Sequence, residues 1–158
     1  MQEKLEVFSK EHKSIEFEPN LPKIKDVENC LIVFDDYMTK MSGEDNRFFT
    51  DFVTREVHHI NASVILILHN MFSKNMRTIS LSTTYIVFFK QVRDKTTVKI
   101  LGKQMFHCFP GYLDSVYEHC VKKAYGFLFI DMHVLSNDKF RLRNKVDITS
   151  DSLLFSSV

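Results

Sequence analysis

The sequence predicts an α/β fold with a mostly parallel sheet covered by helices on both sides, and three observations support this. Leu31–Phe34 is an unbroken run of large apolar residues, which is typical of a strand buried on both faces. Similar runs recur downstream and alternate with segments of helical periodicity, as βαβ units require. With only 4 Gly and 3 Pro, the chain lacks the turn residues that a sandwich of many short strands needs.

The composition is that of an ordinary globular domain. The 158 residues suffice for one domain with a packed core, and 44% of them are hydrophobic. A formal net charge of +1 predicts no general polyanion-binding surface, so any DNA contact has to come from local clusters. Three isolated cysteines fit free thiols in a reducing compartment. A charged N-terminus and the absence of a long apolar run predict a soluble, intracellular protein.

In chain order, the first predicted elements are a weakly amphipathic helix over Met1 to about Lys13 and the strand that ends at Asp35. Apolar residues at helical spacing then predict a helix from about Asn46 to His59. A second buried strand follows over Ala62–Leu68. Because the connections are short, this strand, helix and strand form a βαβ unit with parallel strands.

The second half of the chain continues the alternation. A third strand is predicted over Tyr85–Phe89 and a fourth over Tyr125–Met132. Between them, one helix is capped by Asp94 and runs to about Phe106, and another covers Tyr112 to Lys123. Phe140–Arg143 alternates like an edge strand. We therefore expect one domain over residues 1–148 and a flexible, serine-rich tail over residues 149–158.

Polar side chains follow the first two strands at the points where these strands end. Asp35 and Asp36 follow the first strand, and His69 and Asn70 follow the second. Because the carboxyl ends of parallel strands lie at one edge of the sheet, these four residues should converge there, where open α/β sheets bind ligands. Buried carboxylates need a cation or hydrogen bonds. A magnesium site with a phosphate ligand is one interpretation, and a solvated acidic turn is the other.

An apolar strand that ends in two acids has a specific use in P-loop NTPases. The first acid holds the water shell of the magnesium ion, and the second polarises the water that attacks the γ-phosphate. A receiver domain also binds magnesium with an acid pair. The order of elements disfavours it here, because about thirty residues precede the pair and the next strand ends in His69-Asn70.

Several blocks of the sequence resemble one family. Four blocks are similar, in the right order, to the genome-packaging ATPase of Polinton (Maverick) elements and adintoviruses. They are FDDYM, RFFTDFVTREVHHINASVILILHNMF, MRTISLSTTYIVFFKQVRD and YGFLFIDMHVLSNDKFRLRN. That enzyme belongs to the FtsK/HerA superfamily of ring-forming motors. The resemblance spans roughly Ile15 to Val146 and implies the three-layer, mostly parallel sheet of P-loop NTPases of the RecA-like kind. It also implies ATP and Mg²⁺ as cofactors, and double-stranded DNA, a homo-oligomeric ring and capsid proteins as partners. It further implies a location in the nucleus or at a viral assembly site.

The resemblance also assigns roles to individual residues. The Walker B acids of the family fall on Asp35 and Asp36, which would serve the metal, Asp36 also acting in catalysis. The polar sensor falls on Asn70, although the family usually has Gln-Asn where this chain has His-Asn. Either Arg77 or Arg93 would act as an arginine finger toward a neighbouring subunit, and the sequence does not choose between them.

One expected motif is missing from the sequence. A P-loop reads G-x-x-x-x-G-K-[ST], so that glycine amides and a lysine surround the phosphates. The only Gly-Lys pair, Gly102-Lys103, is followed by Gln104, has Thr97 at the position of the first glycine, and lies inside a predicted helix. We therefore expect this chain to be the C-terminal part of such an ATPase and to be inactive by itself.

Three other interpretations of the same residues stay open. The chain is alternatively a non-catalytic module that assembles with intact subunits or capsid. A zinc site is a further alternative, with candidate ligands His58, His59, His69, His107, Cys108, His119 and Cys120. Adjacent pairs such as His107-Cys108 seldom point at one ion, which disfavours this. Basic residues alternate along the predicted edge strand, and they would either contact DNA or prevent the edge from pairing with other chains. They are Lys139, Arg141, Arg143 and Lys145.

Overall fold

The computed structural model describes residues 15–18, 20–37, 43–72, 76–148 and 152–156. These belong to two compact units, Met1–His69 and Asn70–Val158, and each is described by itself. Both contain helices and strands, so the chain is a mixed α/β protein, as predicted. The helix predicted over Met1 to about Lys13 lies outside the described residues. None of the helices in the described ranges is long and apolar enough to cross a membrane.

The first unit is built on two parallel strands, β1 (Leu31–Asp35) and β2 (Ser63–Ile67). They pair in register from Leu31 opposite Ser63 to Asp35 opposite Ile67, which confirms the predicted βαβ unit. The expectation that β1 is buried on both faces is wrong in the described unit. Ile32 and Phe34 are buried, whereas Leu31 and Val33 on the other face are 62% and 53% exposed. One face alone packs against the helical segment described next, and this explains the alternation.

The segment between β1 and β2 is helical over residues 43–59. It comprises α1 (Gly43–Asp51), a π-helical segment (Phe52–Glu56) and α2 (Val57–His59), so it begins three residues before the expected start. The hydroxyls of Thr50 and Thr54 donate to carbonyl oxygens four residues earlier, at 2.8 and 2.7 Å. Such bonds compete with the helix ladder and often bend helices, and they flank the π-helical segment here.

The second unit contains an antiparallel sheet of four strands in the order β3-β4-β5-β6. The strands are β3 (Tyr85–Phe89), β4 (Phe127–Asp131), β5 (Leu142–Arg143) and β6 (Leu154–Phe155). The expected mostly parallel sheet is thus found only in β1 and β2. β5 pairs on both sides, so it is no edge strand. Within residues 149–158, where the sequence predicts a flexible tail, β6 pairs with β5.

Helices α4 (Thr96–Met105) and α5 (Tyr112–Cys120) supply most of the core of the second unit, and a short helix α3 (Arg77–Ser82) precedes β3. The predicted apolar stripe of α5 is buried throughout, as are its partners on α4 and the sheet. Asp94 caps α4 as predicted, since its Oδ1 accepts from the Thr96 N–H at 2.8 Å. This bond holds the pKa of Asp94 below its usual value.

Gly102 lies within α4 and serves helix packing. A Cβ at this position would lie 2.8 Å from the Pro110 carbonyl oxygen and 3.2 Å from the Leu113 Cβ. The glycine therefore lets α4 approach the start of α5 closely. This confirms that Gly102-Lys103 is part of a helix, where it cannot form a phosphate-binding loop.

Candidate functional site

The acid pair lies at the carboxyl end of the two parallel strands. Asp35 is the last residue of β1 and stands opposite Ile67, the last residue of β2. The backbone N–H of Asp36 donates to the Ile67 carbonyl oxygen at 3.1 Å, which extends the pairing by one residue. The sequence predicted this placement, and the structure confirms that both acids and the end of β2 share one edge of the sheet.

Asp36 also has an unusual backbone conformation that the sequence did not reveal. Its φ is 48°, in the left-handed region where residues with a Cβ are uncommon and Asp and Asn are among the more tolerant. The chain turns sharply here, and Tyr37 comes back against Phe34 with ring centroids 5.6 Å apart. Because a left-handed residue is costly, it persists only where the surroundings stabilise it.

Aromatic packing supplies that stabilisation. Phe34 contacts Phe49 edge-to-face at a centroid distance of 5.0 Å, and Phe52 at 6.3 Å. Tyr37 also packs on Phe49, at 5.8 Å. Phe49 and Phe52 are almost completely buried, and burial of such a side chain stabilises a fold by about 2–3 kcal/mol. The rings thus fix the turn that follows β1 and carries the acid pair.

The donor set of this edge suits a metal ion that is shared with a phosphate. Asp35 is exposed and Asp36 is partly exposed, so both carboxylates are at a surface. Nowhere in the described ranges do three or more His, Cys, Asp or Glu side chains cluster as they would in an all-protein metal site. Mg²⁺ needs no such cluster, because it keeps several waters and takes one or two carboxylates together with substrate phosphates. The two acids fit that mode of binding.

The predicted partners after β2 fall on either side of the division between the two units. His69 is exposed and ends the first unit, two residues beyond β2. Asn70 begins the second unit, and its Oδ1 accepts from the Phe72 N–H at 2.9 Å. In this orientation the carboxamide oxygen closes a turn, and the NH₂ group is the donor side of the amide. The predicted convergence therefore holds for the acids and the end of β2, and stays a prediction for Asn70.

Both candidate arginine fingers are exposed residues of the second unit. Arg77 is the first residue of α3, and Arg93 lies in the connection between β3 and α4. Within the part of the chain that the structure describes, no ion pair involves either guanidinium. Both side chains are exposed, and the structure does not choose between them.

Two other arginines, which the sequence suggested as candidate DNA contacts, form bonds within the second unit. Arg143 is buried, forms an ion pair with Asp131 at 3.6 Å, and lies 4.4 Å from the ring centre of Phe129. It also donates to the carbonyl oxygens of Phe140 and Val146, at 2.7 and 3.1 Å. The Arg143–Asp131 pair was not predicted from the sequence. The signal for this pair in the sequence was Asp131 at the end of an apolar strand, followed by Arg143 in a segment of alternating residues.

Arg141 holds the loop that follows β4. Its guanidinium donates to the carbonyl oxygens of Asp131, His133 and Ser136, at 3.0, 3.1 and 3.2 Å. Its Nε also pairs with the Asp138 carboxylate at 2.6 Å. The side chain therefore supports local structure and is not displayed toward DNA.

A small open cleft at the end of β3 was also missed. It has a volume of about 220 Å³ and is lined by Lys90, Gln91, Val92, Lys95, Tyr117, Glu118 and Val121. Lys95 and Glu118 pair at its rim at 2.6 Å. This hydrogen bond lowers the pKa of Glu118 and raises that of Lys95. The pair neutralises one of the cleft's two lysines.

The candidate zinc ligands do not form a site in the described ranges. The Cys108 thiol lies 3.6 Å from the Nε2 atom of its sequence neighbour His107, and in the described ranges they belong to no group of three ligand-type side chains. Cys120 is buried, and this burial raises the pKa of its thiol to about 11. A thiol with such a pKa is protonated at neutral pH and is a poor metal ligand.

Comparison of the chain with protein-family models, with curated proteins and with solved structures finds no significant match.

Proposed function

We propose that this chain is the C-terminal part of the ATPase domain of a DNA-packaging motor, of the kind found in Polinton elements and adintoviruses. One observation carries the proposal. Two consecutive acids end a strand of a parallel pair, and the second of them occupies a sharp left-handed turn at the sheet edge. An acid pair at this edge is the arrangement that a Walker B strand needs.

The proposal gives each candidate residue a role. Asp35 and Asp36 would hold a Mg²⁺ ion together with the phosphates of ATP, and the ion would neutralise charge on those phosphates. Asp36 would orient the attacking water, and the NH₂ group of Asn70 would contact the γ-phosphate. Arg77 or Arg93 would reach the nucleotide of a neighbouring subunit.

The proposal extends to fold and partners. β1 and β2 would be two strands of the three-layer sheet of P-loop ATPases. Double-stranded DNA would pass through a homo-oligomeric ring, capsid proteins would dock on that ring, and the protein would work in the nucleus or at a viral assembly site. These partners rest on the sequence resemblance alone.

The first test is nucleotide binding by the chain itself. The 158 residues contain no G-x-x-x-x-G-K-[ST] motif, and this loop supplies most of the hydrogen bonds to the phosphates. We expect no measurable ATP hydrolysis and only weak binding in a calorimetric titration with Mg²⁺ and ATP. Micromolar affinity would contradict the assignment of the missing loop.

The second test restores the missing elements from an intact relative of the same family. In that chimera, Asp36→Asn should abolish turnover while ATP stays bound, because Asn keeps the shape and tolerates the left-handed conformation. Asp35→Asn should weaken Mg²⁺-dependent binding. Asp51→Asn, which changes an exposed acid of α1, is the matched control and should leave both quantities unchanged. Parental turnover in Asp36→Asn would show that the acid pair is only a strand-ending turn.

The arginines can be separated in mixed rings of the same chimera. If one arginine acts on the nucleotide of a neighbouring subunit, rings made only of its Arg→Ala variant should have no ATPase activity. When these variant subunits are mixed with Asp36→Asn subunits, part of the ATPase activity should return, because some interfaces then combine an intact acid with an intact arginine. Arg77→Ala and Arg93→Ala are tested in parallel, and absence of recovery for both would exclude an arginine finger at either position.

The second candidate function is a non-catalytic assembly module. It is favoured by the exposed apolar face of the parallel pair, which carries Leu31, Val33, Ile65 and Ile67. A reading frame that encodes a P-loop directly upstream of Met1 would favour the ATPase. If such a frame is absent and the chain binds intact subunits or capsid, the assembly module is favoured.

A further inference from the structure

The outer edge of β3 carries backbone groups that no described strand pairs with. Among the strands that the structure describes, β3 pairs with β4 alone. The Met132 N–H donates to the Thr84 carbonyl oxygen at 2.8 Å, and this fixes the phase of the antiparallel ladder. Ile86 and Phe88 therefore bond to β4, while Tyr85, Val87 and Phe89 direct their N–H and C=O groups away from it. Among these outward groups, the Phe89 carbonyl oxygen is the one with a hydrogen-bond partner in the described residues, the Tyr117 hydroxyl at 3.2 Å.

The same three residues expose apolar side chains. Tyr85, Val87 and Phe89 are 54%, 39% and 60% exposed. Tyr85 and Phe89 pack on aromatic rings of β4, at centroid distances of 5.5 and 5.8 Å, so the exposed face is a continuous apolar strip. The strand has no proline, no charged residue and no bulge over its five pairs with β4. Natural edge strands use these devices to prevent pairing with other chains, and β3 lacks them.

We propose that β3 pairs antiparallel with β3 of a second copy of this chain, about a twofold axis at Val87. In this register Val87 stands opposite itself, Tyr85 opposite Phe89, and Thr84 opposite Lys90. Every outward N–H of the strand then meets an outward carbonyl oxygen, since a carbonyl oxygen such as that of Phe89 accepts two hydrogen bonds. Two aromatic cross-strand pairs form, and no like charges face each other.

A second copy suits this edge because the strand is complementary to itself in one register. Moving the axis by two residues, to Tyr85 or to Phe89, would place Val87 opposite the polar residues Thr83 or Gln91. Only the axis at Val87 matches all three exposed apolar residues with apolar residues. The proposal uses neither the acid pair nor the arginines, so it is independent of the ATPase proposal.

The test uses charge at the axis, because a residue at position 87 faces its own copy. The wild-type chain should sediment as a dimer at high micromolar concentration. Val87→Lys and Val87→Glu should each weaken dimerisation roughly tenfold or more, since each places like charges opposite one another. An equimolar mixture of the two variants should restore the dimer. Val134→Lys, a charge on an exposed apolar residue after β4, is the matched control and should leave the dimer intact.

Amide exchange gives a second readout that requires no variant. Protection of the Val87 amide should rise with protein concentration, while that of the inward Ile86 amide should not. A monomeric wild-type chain would overturn the proposal, even if an extended peptide bound to the β3 edge. Dimers of Val87→Lys as stable as the wild type, or mixed variants that stay monomeric, would overturn it as well.

Discussion

Replacement of Arg143 by Met tests the buried ion pair of the second unit. The substitution keeps much of the apolar stem but removes the charge that neutralises Asp131, whose side chain is 10% exposed. It also removes the hydrogen bonds to Phe140 and Val146 and the contact with the ring of Phe129. Leaving one charge of a buried pair without its partner costs about 3–5 kcal/mol.

Urea unfolding followed by tyrosine fluorescence measures this loss. Four of the five tyrosines lie in the second unit, so the signal reports mainly on it. With a urea m-value of about 2 kcal/mol/M, a loss of about 3 kcal/mol moves the midpoint down by about 1.5 M. Adding Asp131→Asn to Arg143→Met should recover part of the loss, because no buried charge then remains.

The matched control is Arg93→Met, an exposed arginine of the same unit, which should change the stability by no more than about 0.5 kcal/mol. A midpoint shift below about 0.5 M for Arg143→Met would refute the reasoning, since it corresponds to only about 1 kcal/mol. A double variant that is less stable than the sum of the single variants would also refute it.

Three further predictions concern the same unit. Gly102→Ala should destabilise it by about 1–3 kcal/mol in urea unfolding, because a Cβ there meets backbone at 2.8 Å, whereas Gly111→Ala, with open space around it, should not. Asp94→Ala should lower the melting temperature at pH 7. Because the folded pKa of Asp94 is lowered, its contribution is present above the unfolded pKa of about 3.9 and is lost as the pH falls through the folded value. The melting difference should therefore vanish in strong acid. At pH 8, iodoacetamide should modify the exposed Cys108 and leave the buried Cys120, with its pKa of about 11, unmodified in mass spectra.

The sequence predicted those elements that local signals determine. The stripe of α5 follows from helical spacing, the start of α4 from Asp94, and the parallel β1–β2 pair from short connections around one helical segment. The acid pair was placed correctly for the same reason, because residues at the end of β1 have to lie beside the end of β2. The helix features depend on residues close together in sequence, and the β1–β2 pair depends on the single short βαβ connection between its strands.

Strand direction in the second unit could not be predicted in this way. β4 reads as a fully buried strand, and this pattern is typical of parallel sheets. In the structure Leu128 and Ile130 belong to the core, while Arg143 and Tyr85 lie against the ring of Phe129, so both faces of an antiparallel strand are buried. Its antiparallel direction depends on pairing between distant segments. β6 has only two residues, which is too short for an alternating pattern. At the site, the left-handed turn at Asp36 depends on packing against Phe49, on a different element.

The bonds of Arg141 have a consequence for how the second unit folds. The guanidinium binds groups of residues 131, 133, 136 and 138, all within ten positions of Arg141 along the chain. Contacts between residues close in sequence carry a small loop-closure entropy and form quickly. We therefore expect this turn to form early and to bring β5 next to β4 before the distant strand β3 finds its place.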